Sequence, residues 1–246
     1  MTLDYTTALV IGGSRGTGRQ IAKRLAEHGV RTVVVARNQK DLDDLKREVP
    51  AIDVVAADAT TDGTAERLLA EVKPDLLVLA GGHMPKMAAL SELTWDEFSR
   101  TWNVDTRIAF AFVKAALQAP MPKGSTIVSF ASGAALGGSP LSGGYAGAKR
   151  MQHFVSNYGA WEADQRDLGL AFYTIYPKQF IAGTQIAENG AGAYGAARSI
   201  SAEEFMKTWD TPLTPGRIGD EVIGLLATRG DPGAYGITGS AMEKMA

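Results

Sequence analysis

The sequence lacks cysteine altogether and contains only three histidines in 246 residues. The absence of cysteine excludes disulfide bonds, thiolate metal sites and a cysteine nucleophile. His28, His83 and His153 lie far apart in the chain, and none has a second histidine or a carboxylate at a spacing typical of metal ligands. We therefore expect no metal site.

Concentrated positive charge and long apolar runs are also missing. The 25 basic and 27 acidic residues give a formal net charge of -2, and no basic block exceeds two residues. Nucleic-acid and membrane-surface binding are therefore not expected. No apolar run approaches the roughly 18 residues that cross a bilayer. Asp4 precedes the first apolar run without a basic region, unlike a signal peptide, so we predict a cytoplasmic protein.

Apolar runs alternate with amphipathic segments through most of the chain. Hydrophobic residues make up 45% of the sequence, enough for one large α/β domain. Nearly continuous apolar runs are typical of strands buried on both faces of a parallel sheet. The runs are Ala8 to Ile11, Thr32 to Ala36, Asp53 to Ala56, Leu76 to Leu79, Ser125 to Phe130 and Leu170 to Tyr176. The alternation predicts a doubly wound parallel sheet in three layers, with residues 1–246 as a single domain.

Residues 183–214 interrupt this alternation. The segment is rich in Gly, Ala, Ser and Glu, carries scattered aromatic residues and shows no strong periodicity. A stretch of this length inside a compact domain is usually functional or disordered. A poorly ordered surface excursion is one interpretation; we favour a lid over a substrate pocket, because enzymes often use mobile segments to exclude water.

The first apolar run leads into a glycine-rich turn at residues 12–18, and a helical pattern follows. Glycines at such a place permit a tight turn and close approach of the backbone to a pyrophosphate. The N-terminal amides of the following helix would face the phosphates. We predict a dinucleotide site, formed here by Gly12, Ser14, Arg15, Gly16, Thr17 and Gly18.

The spacing Gly-x-x-x-Gly-x-Gly of this turn resembles that of the short-chain dehydrogenase/reductase family, in its common single-domain form. The resemblance covers nearly the whole chain and implies a Rossmann-type fold and an oxidoreductase that uses a nicotinamide cofactor. Ile11 stands where the family usually has threonine. We expect this change to be tolerated because the neighbouring glycines are present.

The end of the second predicted strand indicates which dinucleotide binds. An acidic residue there would bind the ribose 2'-hydroxyl of NAD, but this chain has Ala36 followed by Arg37. Arg15 lies in the glycine-rich turn, which is expected to approach the same site from the other side. Arginine binds phosphate in bidentate fashion, so the pair predicts NADP. Asp58, with Ala59 beside it, resembles the family's aspartate at the adenine amine; alternatively, Asp58 caps a helix.

Four residues suggest the chemistry. Tyr145 and Lys149 lie one helical turn apart, and an ammonium group held near a phenol favours the phenolate. Ser132, just past the fifth predicted strand, could hold a carbonyl oxygen, and Asn103 is a polar residue in the helical stretch Trp95 to Leu117. The family places its catalytic Asn, Ser, Tyr and Lys in this order. The resemblance implies that the asparagine helps to hold a water in a proton relay, and that the lysine also binds the nicotinamide ribose.

The sequence departs from the family pattern after two strands. Residues 79–82 read Leu-Ala-Gly-Gly where the family has Asn-Asn-Ala-Gly, although Gly81 still permits backbone approach to the cofactor. Pro177, also expected at the cofactor, is followed by Lys178 instead of glycine, and Thr184 comes about two residues late. These changes leave the contacts to the carboxamide open. His83 either replaces part of the lost polar role or is solvated.

These observations favour an NADP-dependent carbonyl reductase or alcohol dehydrogenase, with Tyr145 as its general acid/base and a small carbonyl or alcohol as its substrate. A sugar-nucleotide epimerase or dehydratase is the alternative enzyme, although the chain leaves little room for its extra C-terminal region. A non-catalytic NADP-sensing protein is the alternative outside enzymes. Apolar residues on more than one face of two helical stretches, 95–117 and 145–166, further predict a homodimer or homotetramer.

Overall fold

A computed structural model describes residues 2–245 and contains one eight-stranded sheet, in the order β3-β2-β1-β4-β5-β6-β7-β8. The first seven strands are parallel, and β8 is antiparallel to β7. The strands are β1 Thr7–Ile11, β2 Arg31–Ala36, β3 Asp53–Ala56, β4 Leu76–Leu79, β5 Thr126–Phe130, β6 Ala171–Pro177, β7 Gly233–Ile237 and β8 Met242–Lys244. Strand order reverses between β1 and β4, so a crevice forms at the carboxyl ends of these two strands.

Helices connect the strands and cover both faces of the sheet. They are α1 Gly16–Glu27, α2 Gln39–Glu48, α3 Thr64–Val72, α4 Trp95–Thr101, α5 Arg107–Gln118, α6 Ala134–Gly137, α7 Tyr145–Gln165, α8 Gln185–Ala197, α9 Ala202–Met206 and α10 Pro215–Ala227. A π-helical turn, Trp102–Thr106, joins α4 to α5, and a 3₁₀ turn lies at Leu90–Glu92. Within residues 2–245, none of the helices combines the length and apolar character that a membrane crossing requires.

Two hydrophobic cores lie on opposite faces of the sheet, because successive side chains of a strand point to opposite sides. Val10 of β1 belongs to one core, with residues of α1, α2 and α10. Its neighbour Leu9 belongs to the other core, with residues of α3, α5 and α7. The predicted Rossmann-type fold in three layers is therefore confirmed.

The six predicted strands are confirmed to within a residue at each end. A seventh parallel strand near the C-terminus adds to the six apolar runs. The strand is Gly233–Ile237, and the chain then turns and returns as β8. Residues 238–241 form the turn, in which the amide of Ala241 donates to Thr238 Oγ1 at 3.1 Å.

Residues 183–214 contain the two helices α8 and α9 rather than irregular chain. Their glycines allow close backbone packing: a Cβ atom on Gly190 would lie 2.5 Å from the ring of Phe180, and one on Gly195 would lie 2.9 Å from Ile200 O. The two ends of the segment are held together by a bridge between Ile181 and Leu213. The segment is thus folded as a unit on one side of the crevice.

Candidate active site

The glycine-rich turn packs directly against the loop that follows β4. Gly12 has a φ of +80°, and a Cβ atom on it would lie 2.4 Å from Gly81 Cα. A Cβ atom on Gly18 would lie 2.5 Å from the carbonyl oxygen of Gly12. These contacts leave no room for side chains, so the glycines permit the backbone to form the floor of the crevice.

A cavity of about 230 Å³ lies at the carboxyl ends of β1, β2 and β3. Its lining includes Arg15 and Arg37, together with Asp41, a residue that the sequence did not single out. Arg15 Nε lies 3.2 Å from Asp41 Oδ2, whereas Arg37 is exposed at the mouth. The cavity is therefore lined by both predicted arginines, and one carboxylate, that of Asp41, lies beside Arg15.

Asp58 and Ala59 line the same cavity. Asp58 Oδ1 accepts hydrogen bonds from the amide of Thr60 at 2.9 Å and from its hydroxyl at 2.7 Å. These two bonds, with the nearby charge of Arg37, hold the pKa of Asp58 below its usual value. The alternative that Asp58 caps a helix is wrong, because α3 begins at Thr64 with Gly63 before it.

A second, larger cavity of about 640 Å³ continues from the first. Ser132, Tyr145 and Lys149 all line it, and so do Gly16, Thr17, Gly18 and Pro177. Ser132 lies just after β5, and its Oγ accepts the amide hydrogen of Ala134 at 3.2 Å. A hydroxyl can donate while it accepts, so Ser132 retains a donor for a substrate oxygen. Three of the four predicted catalytic residues are thus brought together.

Tyr145 and Lys149 begin α7, with the tyrosine half-buried and the lysine buried. Lys149 Nζ lies 5.5 Å from the centre of the Tyr145 ring and donates to Gln152 Oε1 at 2.9 Å. Burial lowers the pKa of Lys149, but the charges of Asp105 and Tyr145 and the contact with Asp105 outweigh this effect and raise it. The ammonium form is therefore favoured inside the site.

Asn103 does not join this group. Its side chain is exposed, and its amide lies 3.5 Å from Ser99 Oγ on the preceding helical turn. The side chain that reaches Lys149 from this segment belongs to Asp105, two residues later and 3.0 Å from Nζ. The π-helical turn Trp102–Thr106 contains both residues, and Asp105 is the one that is buried.

The residues that depart from the family pattern take structural roles around the cavity. His83 contributes through its backbone, because its amide donates a hydrogen bond to Asp105 Oδ1 at 2.7 Å. Burial and the charge of Arg100 lower the pKa of its imidazole ring. Lys178 lines the cavity, and its aliphatic chain covers Gly236. Thr184 caps α8, accepting from the amide of Ala187 at 3.3 Å, and its methyl group faces Gly16.

Aromatic and apolar side chains form the outer wall of the larger cavity. Phe180 is the centre of this aromatic wall, with ring centres of Tyr194, Phe205 and Trp209 at 6.1, 5.9 and 5.9 Å. Met84 and Met87 also line this cavity. Tyr194 also joins α8 to the loop before Tyr145, since its hydroxyl lies 2.8 Å from Ser139 Oγ.

The two cavities together suit a dinucleotide. Arg15 and Gly82 line both cavities. A ligand can therefore extend from the side chains of Arg15 and Arg37, across the glycine-rich turn, to Tyr145. The backbone contacts of Gly12 with Gly81 make a surface without side chains at the middle of this path. A crevice at the strand-order reversal with a Ser, Tyr, Lys cluster beside it is typical of a dinucleotide-binding α/β fold.

Comparison with known proteins gives the family. The model of the family described as short chain dehydrogenase matches residues 6–188. The chain therefore belongs to the short-chain dehydrogenase family.

Several curated reductases are similar over part of their length. L-xylulose reductase of Bos taurus is 34% identical over 100 residues, which are 41% of this chain and 41% of that protein. Carbonyl reductase (NADPH) 2 of Sus scrofa is 34% identical over 110 residues, 45% of each chain. Short chain dehydrogenase/reductase AacuD of Aspergillus aculeatus is 29% identical over 187 residues, 71% of this chain and 63% of that protein. The match thus spans less than half of the two reductases.

Proposed function

We propose that this chain is an NADP-dependent carbonyl reductase or alcohol dehydrogenase in which Tyr145 is the general acid/base. The observation that carries the proposal is the position of Ser132, Tyr145 and Lys149 in one cavity, beside the glycine-rich turn. A tyrosine next to a buried ammonium group at the end of a dinucleotide crevice is suited to proton transfer at a carbonyl oxygen.

Each of the three residues has a distinct task in the proposed reduction. The hydroxyl of Tyr145 gives its proton to the carbonyl oxygen, and the hydroxyl of Ser132 donates a hydrogen bond to the same oxygen. The ammonium group of Lys149 stabilises the phenolate that remains and reaches the ribose of the cofactor. The nicotinamide, when bound, supplies the hydride. In the oxidation direction Tyr145 takes the proton back from the alcohol.

NADP is favoured over NAD by the charges at the end of β2. Ala36 leaves no carboxylate for a ribose 2'-hydroxyl at this position, and Arg15 and Arg37 line the cavity where a 2'-phosphate would lie. Asp41 Oδ2 lies 3.2 Å from Arg15 Nε, so a 2'-phosphate would share the Arg15 guanidinium with this carboxylate. The name of the carbonyl reductase (NADPH) 2 relative agrees with this choice.

The aromatic wall favours a substrate with an apolar, ring-bearing body. Phe180, Phe205 and Trp209 lie within 6 Å of one another by their ring centres, and Met84 and Met87 line the same cavity. Such surfaces bury aromatic or alicyclic groups well but give few hydrogen bonds to a sugar. A ring-bearing ketone is therefore the proposed substrate class, rather than a small open-chain sugar.

The test is NADPH oxidation by the purified protein with a panel of aromatic ketones, quinones and small sugars. We expect turnover with ring-bearing carbonyls, slower turnover with xylulose, and loss of turnover in Tyr145→Phe. Tight NADPH binding without turnover on the whole panel would instead support the non-catalytic NADP-sensing alternative.

A further inference from the structure

Asp105 is a fully buried carboxylate in contact with the candidate active site. Its exposed fraction is 0%, and it lies on the π-helical turn between α4 and α5. Oδ2 is 3.0 Å from Lys149 Nζ, and this ion pair has side-chain exposures of 1% and 10%. None of the roles assigned so far to Ser132, Tyr145 and Lys149 uses this carboxylate.

The surrounding backbone is built to admit the carboxylate. The amide of His83 donates to Oδ1 at 2.7 Å. A Cβ atom on Gly82 would lie 2.8 Å from Oδ2, so a larger residue there would push the carboxylate from its place. The loop after β4 therefore holds Asp105 through one hydrogen bond, and the lack of a side chain at Gly82 leaves space for the carboxylate.

The charge of Asp105 affects how strongly Lys149 acts on the phenol of Tyr145. A buried ion pair is costly to break, because removing one partner leaves the other charge unpaired in a low-dielectric site. Lys149 Nζ lies 3.0 Å from Asp105 Oδ2 and 5.5 Å from the centre of the Tyr145 ring. The positive charge that acts on the phenol is thus partly offset by the adjacent carboxylate.

We propose that Asp105 is a positioning residue that fixes the ammonium group of Lys149 and limits the positive charge that it presents to Tyr145. This inference rests on the proposed function, since it concerns the proton transfer assigned to Tyr145. The charged groups that act on Lys149 are Asp105 from the π-helical turn and Tyr145 from α7. His83, in the loop after β4, is influenced by Asp105 and by the cations Arg100 and Arg37, and Lys178 after β6 lines the same cavity.

The first test is Asp105→Asn, which keeps the shape and removes the charge. Alcohol oxidation requires the phenolate of Tyr145, so its kcat/KM rises with pH. As long as Lys149 stays protonated, loss of the carboxylate leaves its positive charge less offset, and the midpoint of this rise should move to lower pH by about one unit. The matched control, Asp96→Asn, makes the same change at an exposed position in α4 and should leave the midpoint unchanged.

Gly82→Ala gives an independent route to the same end, because it displaces the carboxylate while every charge remains. We expect a shift in the same direction but smaller. Because a buried substitution can prevent folding, NADPH binding and thermal unfolding are measured for each variant. If Asp105→Asn does not fold, the pH profile of Gly82→Ala is the deciding test. An unchanged midpoint, or a shift to higher pH, in a folded variant would overturn the proposal.

A spectroscopic titration separates this inference from the proposed function. The phenolate of Tyr145 is followed by near-ultraviolet absorbance, as the difference between each protein and the same protein carrying Tyr145→Phe. The titration should move to lower pH in Asp105→Asn even if no tested carbonyl is reduced. Absence of turnover would then count against the proposed function, and an unmoved phenolate titration would count against the role of Asp105.

Discussion

Tyr145 combines a half-buried phenol with an ammonium group 5.5 Å from its ring, and Phe at this position would remove only the hydroxyl. General acid/base groups typically contribute a factor of 10² to 10⁴ in rate. We therefore expect Tyr145→Phe to lower kcat by about 100-fold or more while the Kd for NADPH stays nearly unchanged. Tyr158→Phe, the same change at an exposed position in α7, is the control. Near wild-type turnover in Tyr145→Phe would refute the assignment.

Arg37 is the residue on which the choice of cofactor depends most directly. Charge-assisted hydrogen bonds contribute about 1.5–3 kcal/mol each, so Arg37→Ala should raise the KM for NADPH by about tenfold and change that for NADH little. The preference should weaken as salt is raised, because the arginine is exposed and screened. Combining Arg37→Ala with Ala36→Asp should move the cofactor preference from NADPH towards NADH. Arg31→Ala, at the opposite end of β2, is the control.

An unmodified enzyme that uses NADH as well as NADPH at low salt would contradict this prediction. Arg15 and Arg37 would then be surface charges. Asp41 gives a physical reason to test that outcome, since it already neutralises Arg15 at 3.2 Å.

Single residues were predictable where local sequence spacing determines their position. Tyr145 and Lys149 share a helix face because four residues make about one turn, and Ser132 follows a strand that ends at the crevice. Asp105 was missed because a π-helical turn adds a residue to the helical register, which periodicity in the sequence does not reveal. The signal available was a second polar residue, two positions after Asn103, in an otherwise apolar stretch.

At the scale of elements, strands were predictable because both faces are buried and the apolar runs are continuous. Helix α8 was not predictable in the same way. Its glycines and alanines pack by close backbone approach, as Gly190 does on Phe180, and therefore give no apolar periodicity.

The segment 183–214 is the element that we expect to close over bound ligands. Its ends meet at the Ile181–Leu213 bridge. The hydroxyl of Tyr194 in α8 is hydrogen-bonded to Ser139, in the loop before Tyr145. We expect fast amide hydrogen exchange in α8 and α9 in the apo protein and slow exchange in the ternary complex with NADP and substrate. Helix α3, none of whose residues lines either cavity, provides the internal reference. Equal protection of α8 in both states would remove the lid hypothesis.

At the scale of the whole molecule, large apolar side chains remain exposed on the outer faces of α5 and α7. Phe110 is 55% exposed, Tyr158 63% and Trp161 67%, whereas Phe112 of α5 is buried in the core. Phe154 is half-buried and stacks on Tyr158 with ring centres 6.1 Å apart. Contiguous exposed aromatic groups of this size commonly mark a protein interface. We call Phe110, Phe154, Tyr158 and Trp161 the α5–α7 aromatic patch.

We expect the α5–α7 aromatic patch to be covered by a second copy of this chain, giving a homodimer or homotetramer. Phe110→Lys combined with Trp161→Glu places charges of both signs on the patch without touching the buried core. The mass from light scattering at micromolar concentration should be that of a dimer or tetramer for the unmodified protein and should fall towards the monomer in the double variant. Charge reversal at Arg67, an exposed residue of α3, is the control and should leave the mass unchanged. A monomeric mass for the unmodified protein would refute self-association and leave the patch free for another partner.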